Sequence, residues 1–361
     1  FHLNSLTHLT LSNNYINKFK VRNNEFQYLA YLDLSDNFFL EEFSIQNGGN
    51  LKYLNLNNNQ NLKYIKSLKN FTLLTYLYLD RVNSQFFKRL EINKLVNLLE
   101  FGISNFNLFE SEWANFLLSY QYIEKLTFKN SLINISLINN LIINELDLTS
   151  SLILWKEHEI FMKNTLRLKK FVLKNISLNN TIIEFHINFN RFKDMVYLDL
   201  SLNNIEYFLD NYLDRNNHLI YLNLSHNPLK QIYILFSSGS IDFDLSYTTL
   251  KDFNFIGNGI FNKINLNNNN FEKFSFELVE KNEDILSLDL SFNQIQNFSY
   301  SLSIKSFSLK ILKACNNLIK EISSKFLKFF RKLKFLDFSQ NLIEIVEEDS
   351  FRNLINLEHL N

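Results

Sequence analysis

The stretch LKFLDFSQNLIEIVEEDSFRNLINL, residues 333–357, is the segment that decides the fold. Its first part alternates apolar and polar side chains, which is the period of a β-strand, so Leu336 and Phe338 are predicted to point into a core. Asn341 follows and is predicted to turn the chain. An apolar series then leads back to a new strand motif at Leu357, which gives a period of about 24 residues.

The same unit recurs along the chain, with leucine or another apolar residue at the strand positions. The asparagine amide both donates and accepts hydrogen bonds, so it can satisfy backbone groups of its own coil and of a neighbouring coil. This structural asparagine ladder is predicted at Asn14, Asn37, Asn59, Asn203, Asn227, Asn269, Asn293, Asn317 and Asn341. Stacked coils share an apolar interior that one coil cannot bury alone, so the sequence predicts a solenoid, a single array of about 15 repeats over residues 1–361.

The middle of the array, residues 74–192, is predicted to be irregular. Five consecutive units there and one later unit carry another residue in the asparagine position: Val82, Phe106, Ser131, Ser151, Ile176 and Thr248. Two interpretations stay open. The middle is either a distortion that serves ligand binding, or a case of sequence drift in which the two serines do part of the asparagine's work.

Composition narrows the class of partner. The chain has 361 residues, and its 37 Lys and Arg balance 37 Asp and Glu. Because phosphate binding needs a surplus of cations, this balance argues against nucleic acid as the main partner. No run approaches the roughly 18 apolar residues of a membrane span, and no signal peptide opens the chain. Phe1 in place of methionine, and a strand motif just begun at Asn361, predict a fragment truncated at both ends, attached to a membrane only through segments outside it.

The whole chain resembles the extracellular "typical" class of leucine-rich-repeat proteins, which includes Toll-like receptors and chaoptin-like adhesion proteins. The resemblance rests on the 24-residue period, on the F-x-x-L of the return segment at Phe351 and Leu354, and on D-L-S strand ends such as Asp33-Leu34-Ser35. It implies an α/β solenoid, a horseshoe with a parallel concave β-sheet and a mostly irregular or short-helical convex side. It also implies a ligand-binding ectodomain.

One feature of that class is missing from the sequence. Its extracellular members usually carry cysteine-rich caps at both ends, and this sequence has none. Truncated ends would account for the difference, and so would an intracellular leucine-rich-repeat protein, which also lacks such caps.

The sequence contains no assembled set of acid, base and nucleophile, so no enzymatic activity, no cofactor and no metal site is predicted. Cys315 is the only cysteine, which excludes an internal disulfide and a cysteine-based zinc cluster. The HEIFM segment at residues 158–162 lacks the second histidine of a zinc-protease helix. The GNG segment at residues 257–259 lacks the third glycine of a nucleotide-binding motif.

Asn-x-Ser/Thr sequons are about as frequent as an asparagine-rich composition produces by chance, so their number does not indicate secretion. Asn223 carries one on a predicted concave strand, where a glycan would block the surface. The sequons predicted as candidate glycosylation sites are Asn70, Asn134, Asn175, Asn179 and Asn297.

Ligand binding is predicted on the concave face of the sheet. The residue before the second leucine of the strand motif faces that side, and it is repeatedly tyrosine. Tyrosine combines a large apolar ring with a polar tip, which suits a wet protein interface. The alternative is that tyrosine only favours strands and stabilises the sheet. The predicted ligand-binding residues are Tyr31, Tyr53, Tyr76, Tyr78, Tyr197 and Tyr221.

Charged side chains accompany the tyrosines. One column of aspartates is predicted either to attract a basic ligand or to reflect only the recurring D-L-S motif of the strand ends. It contains Asp33, Asp147, Asp199, Asp244, Asp289 and Asp337. A basic patch is predicted in the middle, at Lys125, Lys129, Lys170 and Lys174.

These patterns predict a non-enzymatic protein-recognition module, the extracellular, cell-surface ectodomain of a receptor or adhesion protein. Its partner is expected to be a protein ligand or co-receptor, and a homodimer is a further alternative. The rival interpretation is a cytoplasmic leucine-rich-repeat scaffold, or the regulatory arm of a larger protein.

Overall fold

The leucines of the repeated motif are the buried residues of short parallel strands, as the sequence alternation predicts. In the strand Phe335–Asp337, Leu336 is fully buried between two half-buried neighbours. The computed structural model describes residues 5–22, 25–46, 48–66, 68–83, 95–107, 117, 119–155, 162, 166–209, 212–213, 215–232, 240–252, 260–276, 285–299 and 307–361. The chain forms two units, Phe1–Val172 and Leu173–Asn361.

The first unit is built on one parallel sheet. Its strands are β1 (His8–Thr10), β2 (Lys18–Val21), β3 (Tyr31–Asp33), β4 (Glu42–Ile45), β5 (Tyr53–Asn55), β6 (Tyr64–Ile65), β7 (Tyr76–Leu79), β8 (Glu100–Ser104), β9 (Tyr122–Lys129), β10 (Leu132–Asn134), β11 (Ile142–Asp147), β12 (Leu152–Leu154) and β13 (Lys170–Val172). The described part of this sheet has the order β1-β3-β5-β7-β8-β9-β11-β13. The register places Leu32 opposite both Leu9 and Leu54, so the buried side chains form continuous rows.

The second unit repeats this design. Its strands are β14 (Tyr197–Asp199), β15 (Tyr207–Phe208), β16 (Tyr221–Asn223), β17 (Gln231–Ile232), β18 (Ser240–Asp244), β19 (Ile260–Asn265), β20 (Lys273–Ser275), β21 (Ser287–Asp289), β22 (Asn297–Ser299), β23 (Ile311–Lys313), β24 (Glu321–Ile322), β25 (Phe335–Asp337), β26 (Ile345–Val346) and β27 (His359–Leu360). The sheet order in the described residues is β14-β16-β18-β19-β21-β23-β25-β27.

The return side of each coil is mostly irregular, with short parallel strand groups. In the first unit these are β2-β4-β6 and β10-β12; in the second they are β15-β17, β20-β22 and β24-β26. Among the described residues, the helical segments are brief: α1 (Asn180–His186), α2 (Ser324–Leu327) and the 3-10 turns Ile135–Leu137 and Phe189–Arg191. The predicted fold class, a leucine-rich-repeat solenoid with a parallel sheet and a mostly irregular or short-helical opposite side, is confirmed.

Rows of leucine and phenylalanine fill the interior of both units. Leu54 and Leu77 in the first unit and Leu222 and Leu288 in the second are fully buried. Truncating one such leucine to alanine typically costs about 2–5 kcal/mol, because it removes buried apolar surface and leaves a cavity. Since neighbouring coils share each row, every coil depends on the next for its apolar interior.

Asn203 shows what the asparagine does at the end of a strand motif. Its Nδ2 donates to Leu200 O at 2.9 Å in its own coil and to Leu173 O at 2.7 Å in the preceding coil. Its Oδ1 accepts from Ile176 N and Leu178 N, both at 3.0 Å. Donation to both an own-coil and a preceding-coil carbonyl is also made by Asn37, Asn59, Asn227, Asn269, Asn293, Asn317 and Asn341.

Two kinds of position depart from this pattern. Asn14 is exposed, and its Nδ2 donates to Leu11 O and Ser12 O of its own coil. In the middle of the first unit, Ser151 Oγ accepts from Ser131 N at 3.1 Å and donates to Phe128 O at 2.8 Å. Ser131 Oγ in turn accepts from Phe106 N at 3.2 Å. The serines therefore satisfy buried backbone groups that an asparagine would otherwise serve, which favours sequence drift as the account of these two positions.

Candidate functional site

The position before the buried leucine of each strand faces outward from the sheet. In the first unit, β3, β5 and β7 place Tyr31, Tyr53 and Tyr76 opposite one another in register. Tyr78 lies two residues further along β7, on the same side, and His8 of β1 stands opposite Tyr31. We call Tyr31, Tyr53, Tyr76 and Tyr78 the tyrosine row. All four are half-buried, so each ring keeps part of its surface open to a ligand.

Stacking holds the tyrosine row in place. The ring centroids of Tyr31 and Tyr53 lie 4.1 Å apart with an angle of 11° between the ring planes. Tyr53 also contacts Tyr76 at 6.0 Å and Tyr78 at 5.6 Å, in tilted arrangements. His8 stacks on Tyr31 at 5.6 Å. Because these contacts fix the rings before any partner arrives, little side-chain entropy would be lost on binding.

Beside the tyrosine row, Gly102 opens a gap in the sheet surface. It occupies the outward position opposite Tyr78 on one strand and Thr127 on the next. A cavity of about 290 Å³ lies there. Its lining includes Tyr78, Asp80, Gly102, Lys125, Lys129 and Asp147. The sequence did not lead us to this cavity, although a glycine in a column of larger residues is the signal that could have done so.

The cavity is mixed in charge. Lys129 Nζ lies 3.5 Å from Asp147 Oδ2, and Lys125 Nζ lies 3.9 Å from Glu100 Oε2. Two of the four lysines predicted as a basic patch, Lys125 and Lys129, are therefore paired with carboxylates, while Lys174 lies in the second unit. Such partly exposed ion pairs contribute little stability, so a ligand with polar groups of either sign could replace them.

Burial changes the acidity of several groups at this face. It raises the pKa of Tyr53, and the neighbouring Tyr31 raises it further. Burial also raises the pKa of Tyr78, with the hydrogen bond to Glu100 as the next cause. The pKa of Asp80 is raised overall, because the effect of burial exceeds the opposing effect of the charge on Lys129. The hydroxyls of Tyr53 and Tyr78 are therefore protonated at neutral pH and can donate hydrogen bonds.

The second unit carries the other two predicted tyrosines. Tyr197 of β14 and Tyr221 of β16 are opposite in register and stack, with ring centroids 4.6 Å apart and 14° between planes. Burial raises the pKa of Tyr221, followed by the effect of Tyr197. The structure thus assembles Tyr197 and Tyr221 as a pair in their own unit; ligand binding by either set of tyrosines stays a prediction.

The column of aspartates has a structural role. Oδ1 of Asp244 accepts from Ser246 N at 2.9 Å and from Ser246 Oγ at 2.7 Å. Oδ1 of Asp337 accepts from the backbone and hydroxyl of Ser339 in the same way. Asn223 makes the equivalent backbone bond to Ser225 N at 2.9 Å without a charge. The D-L-S strand end therefore needs a side-chain acceptor here, and the charge of the aspartates is not required for that bond.

The predicted sequons differ in exposure. Asn134 lies half-buried in β10, where its Oδ1 accepts from Ser136 N. Asn179 caps helix α1, with its Oδ1 accepting from Ile182 N at 2.9 Å. The fully exposed candidates are Asn70, Asn175, Asn179 and Asn297.

Among the described residues, no group of three His, Cys, Asp or Glu side chains could hold a metal ion. Cys315 is a free, half-buried thiol. No helix among the described residues is both long and apolar enough to cross a membrane. Most of the HEIFM segment, residues 158–161, and all of the GNG segment lie outside the described residues.

Comparison with known proteins supports the fold. Residues 307–361 match the leucine rich repeat family. No curated protein matches the sequence. Among solved structures, the chain is similar to a leucine-rich-repeat protein of Leptospira interrogans, with 16% identity, a TM-score of 0.52 and coverage of 99% of this chain and 84% of that one.

Two receptor structures are also similar. The first is Toll of Drosophila in complex with Spatzle, at 16% identity and a TM-score of 0.57, covering 86% of this chain and 42% of that one. The second is a TDR receptor, at 15% identity and a TM-score of 0.51, covering 99% and 68%. Similarity at these identities shows the fold alone. The repeat geometry and these structures together show a leucine-rich-repeat fold, and residues 307–361 also match the family at the level of sequence.

Proposed function

We propose that the chain is a non-enzymatic protein-recognition module that binds a protein ligand or co-receptor through the tyrosine row of its first unit. The observation that carries this proposal is the stack of half-exposed rings from Tyr31 to Tyr78 on an otherwise polar sheet face. Tyrosine is enriched among the residues that dominate binding energy at protein interfaces, because it combines apolar area with a hydrogen-bonding tip.

The cavity at Gly102 complements the row. It would receive one polar anchor side chain of the partner, while the tyrosine rings cover apolar atoms beside it. Strands in a sheet lie about 4.8 Å apart, so the described sheet of the first unit spans about 34 Å. That length suits a standard interface of about 800 Å² per partner, provided the partner crosses most of the strands.

We further propose that this module is the ectodomain of a cell-surface receptor or adhesion protein. The 24-residue period and the fold shared with Toll support this choice. The alternative is an intracellular scaffold or regulatory arm with the same fold. The flanking sequence of the gene distinguishes them: a cysteine-rich cap and a membrane span support the receptor, and an adjoining nucleotide-binding or kinase domain supports the alternative.

Binding is tested by capture from the conditioned medium of the source cells, followed by quantitative mass spectrometry. The row variant carries Tyr31→Ala, Tyr53→Ala and Tyr76→Ala. The matched control carries Tyr15→Ala, Tyr28→Ala and Tyr64→Ala, three exposed tyrosines of the same unit that lie outside the row. A protein retained by the wild type and the control but lost by the row variant supports the proposal. Equal retention by all three, with normal circular dichroism, rejects it.

A further inference from the structure

One backbone position in each coil adopts the left-handed conformation, directly after the outward residue that ends the strand motif. Left-handed backbone crowds Cβ against the following carbonyl, so glycine adopts it readily, and asparagine, aspartate and histidine adopt it more often than other residues. In the first unit this position is filled mostly by such short polar residues: Asn13, Asp36, Asn58, Arg81, Asn105, Asn130 and Ser150.

The second unit departs from this rule at Leu202, Tyr247 and Phe292, with φ values of 56–57°, and at Gln340. His226, a residue type found more often in this region, holds a φ of 56° at the same position in the coil between Leu202 and Tyr247. Asn268, in the coil between Tyr247 and Phe292, shows that asparagine also fits the position in this unit. Leucine and the aromatic residues are disfavoured in this backbone conformation, so the reason for their presence must lie in the contacts of their side chains.

Their side chains do not fill the core. Leu202 is 42% exposed, Tyr247 49% and Phe292 52%. His226 is also exposed and stacks on Tyr247, with ring centroids 4.4 Å apart and an interplanar angle of 8°. These four residues thus present apolar and aromatic surface to solvent, and the stack of His226 on Tyr247 is a contact between two of their coils.

Leu202, His226 and Tyr247 lie on three consecutive coils along one edge of the second unit's sheet, and Phe292 lies two coils beyond Tyr247, past Asn268. Leu202 N donates to Ser225 O at 3.0 Å, and His226 N donates to Ser246 O at 2.9 Å, so each position is bonded to the residue before its counterpart in the next coil. We call Leu202, His226, Tyr247 and Phe292 the apolar rim.

A row of carboxylates runs beside the apolar rim. Asp199, Asp244 and Asp289 stand three residues before Leu202, Tyr247 and Phe292 in their coils. At about 3.3 Å per residue, the two rows are separated by up to about 10 Å. Oδ1 of each aspartate accepts the hydrogen bond of its turn, a bond that an asparagine makes equally well in β16. Asp199 is buried, whereas Asp244 and Asp289 are half-buried and can present their charge to a partner. Lys313 Nζ lies 3.9 Å from Asp289 Oδ2, a partly exposed ion pair that a basic partner could replace.

We propose that the apolar rim and the adjoining aspartates form a second docking surface, for a protein segment that presents apolar side chains bordered by lysine or arginine. Such a segment would lay its apolar side chains on Leu202, Tyr247 and Phe292. Its cations would reach the carboxylates about 10 Å away. This surface is separate from the tyrosine row, lies wholly in the second unit and does not depend on the function proposed above.

The test uses a variant that the chain's own pattern predicts to fold. Leu202→Asn, His226→Asn, Tyr247→Asn and Phe292→Asn together install the residue found at this position in other coils. The probe is a fluorescein-labelled eleven-residue peptide of alternating leucine and lysine, with a leucine–glutamate peptide as its control. The wild-type chain is expected to bind only the lysine peptide, and the rim variant to bind it roughly tenfold or more weakly. The variant Ile220→Asn with Ile345→Asn removes exposed apolar side chains elsewhere in this unit and should bind like the wild type.

A second variant distinguishes the contribution of the aspartates from that of the apolar rim. Asp244→Asn with Asp289→Asn keeps the turn acceptor that Asn223 uses, so its thermal midpoint should match the wild type while the lysine peptide binds more weakly. A wild-type chain that binds neither peptide, or both equally, overturns the proposal, and so does a rim variant of unchanged affinity. Sedimentation velocity tests whether a second copy of the chain occupies the apolar rim instead. A wild-type dimer that the rim variant does not form would assign the rim to self-association and would also overturn the proposal.

Discussion

The hydroxyl of Tyr78 donates a hydrogen bond to the Glu100 carboxylate on the neighbouring strand, and its ring lies beside Gly102. A Cβ at position 102 would meet Tyr78 Cδ1 at 3.3 Å, so the glycine is what allows the ring to approach. Tyr78 thus forms a wall of the cavity and ends the tyrosine row. Its hydrogen bond to Glu100 contributes to its raised pKa.

Alkaline pH should weaken the fold through this hydroxyl. The folded pKa of Tyr78 lies above the value of about 10 for an unfolded chain, so the stabilisation is complete below pH 10 and is lost as the pH rises further. Tyr78→Phe removes the ionisable group and should flatten that decline. Urea unfolding midpoints at pH 8, 9.5 and 10.5 measure it, with exposed Tyr15→Phe as the control. An equally steep decline in Tyr78→Phe would contradict this prediction.

Asn203→Ala should destabilise the second unit strongly. It removes three donations and two acceptances and leaves buried backbone groups of Leu173, Ile176 and Leu178 without that partner. Each buried group left unsatisfied costs about 1–3 kcal/mol, so a loss of roughly 3 kcal/mol or more is expected.

The control for this change is Asn14→Ala. Asn14 is exposed and donates within its own coil, so the expected loss is below about 1 kcal/mol. Chemical denaturation followed by circular dichroism measures both free energies of unfolding. Comparable losses for the two variants would show that the bonds between coils are not what makes the asparagine important.

Leu200 and Leu202 should respond oppositely to the same substitution. Leu200 is fully buried, and Leu200→Asn places an amide in an apolar interior, at a cost of several kcal/mol. Leu202 is exposed with a φ of 57°, and Leu202→Asn should leave stability unchanged or raise it by up to about 1 kcal/mol. Differential scanning calorimetry of the two single variants gives the comparison. A destabilised Leu202→Asn would mean that this leucine supports the fold after all.

Sequon use should follow exposure if the chain enters a secretory pathway. Asn70, Asn175 and Asn297 are exposed and are expected to carry glycans when the chain is secreted from cultured eukaryotic cells. Half-buried Asn134 in β10 should remain unmodified. Enzymatic deglycosylation in heavy-oxygen water, followed by peptide mass spectrometry, identifies each used site. Modification of Asn134 with none at Asn70 would reverse the expectation.

The repeat period alone was enough for the fold class. Leu336 and Phe338 alternate with polar neighbours every 24 residues or so, and only stacked coils can bury such a pattern. The outward column of Tyr31, Tyr53 and Tyr76 followed from the same alternation, because strand side chains alternate strictly between two faces.

Only the tertiary structure decided how neighbouring coils use their side chains. The gap at Gly102 depends on Tyr78 and Thr127 of adjacent strands, and the stack of His226 on Tyr247 joins two coils. The left-handed φ of Leu202 likewise could not be predicted from the sequence, because leucine rarely adopts that backbone conformation. Periodicity fixes which face a side chain occupies, whereas cavities, stacks and exposure arise from distances between residues more than 20 positions apart in the chain.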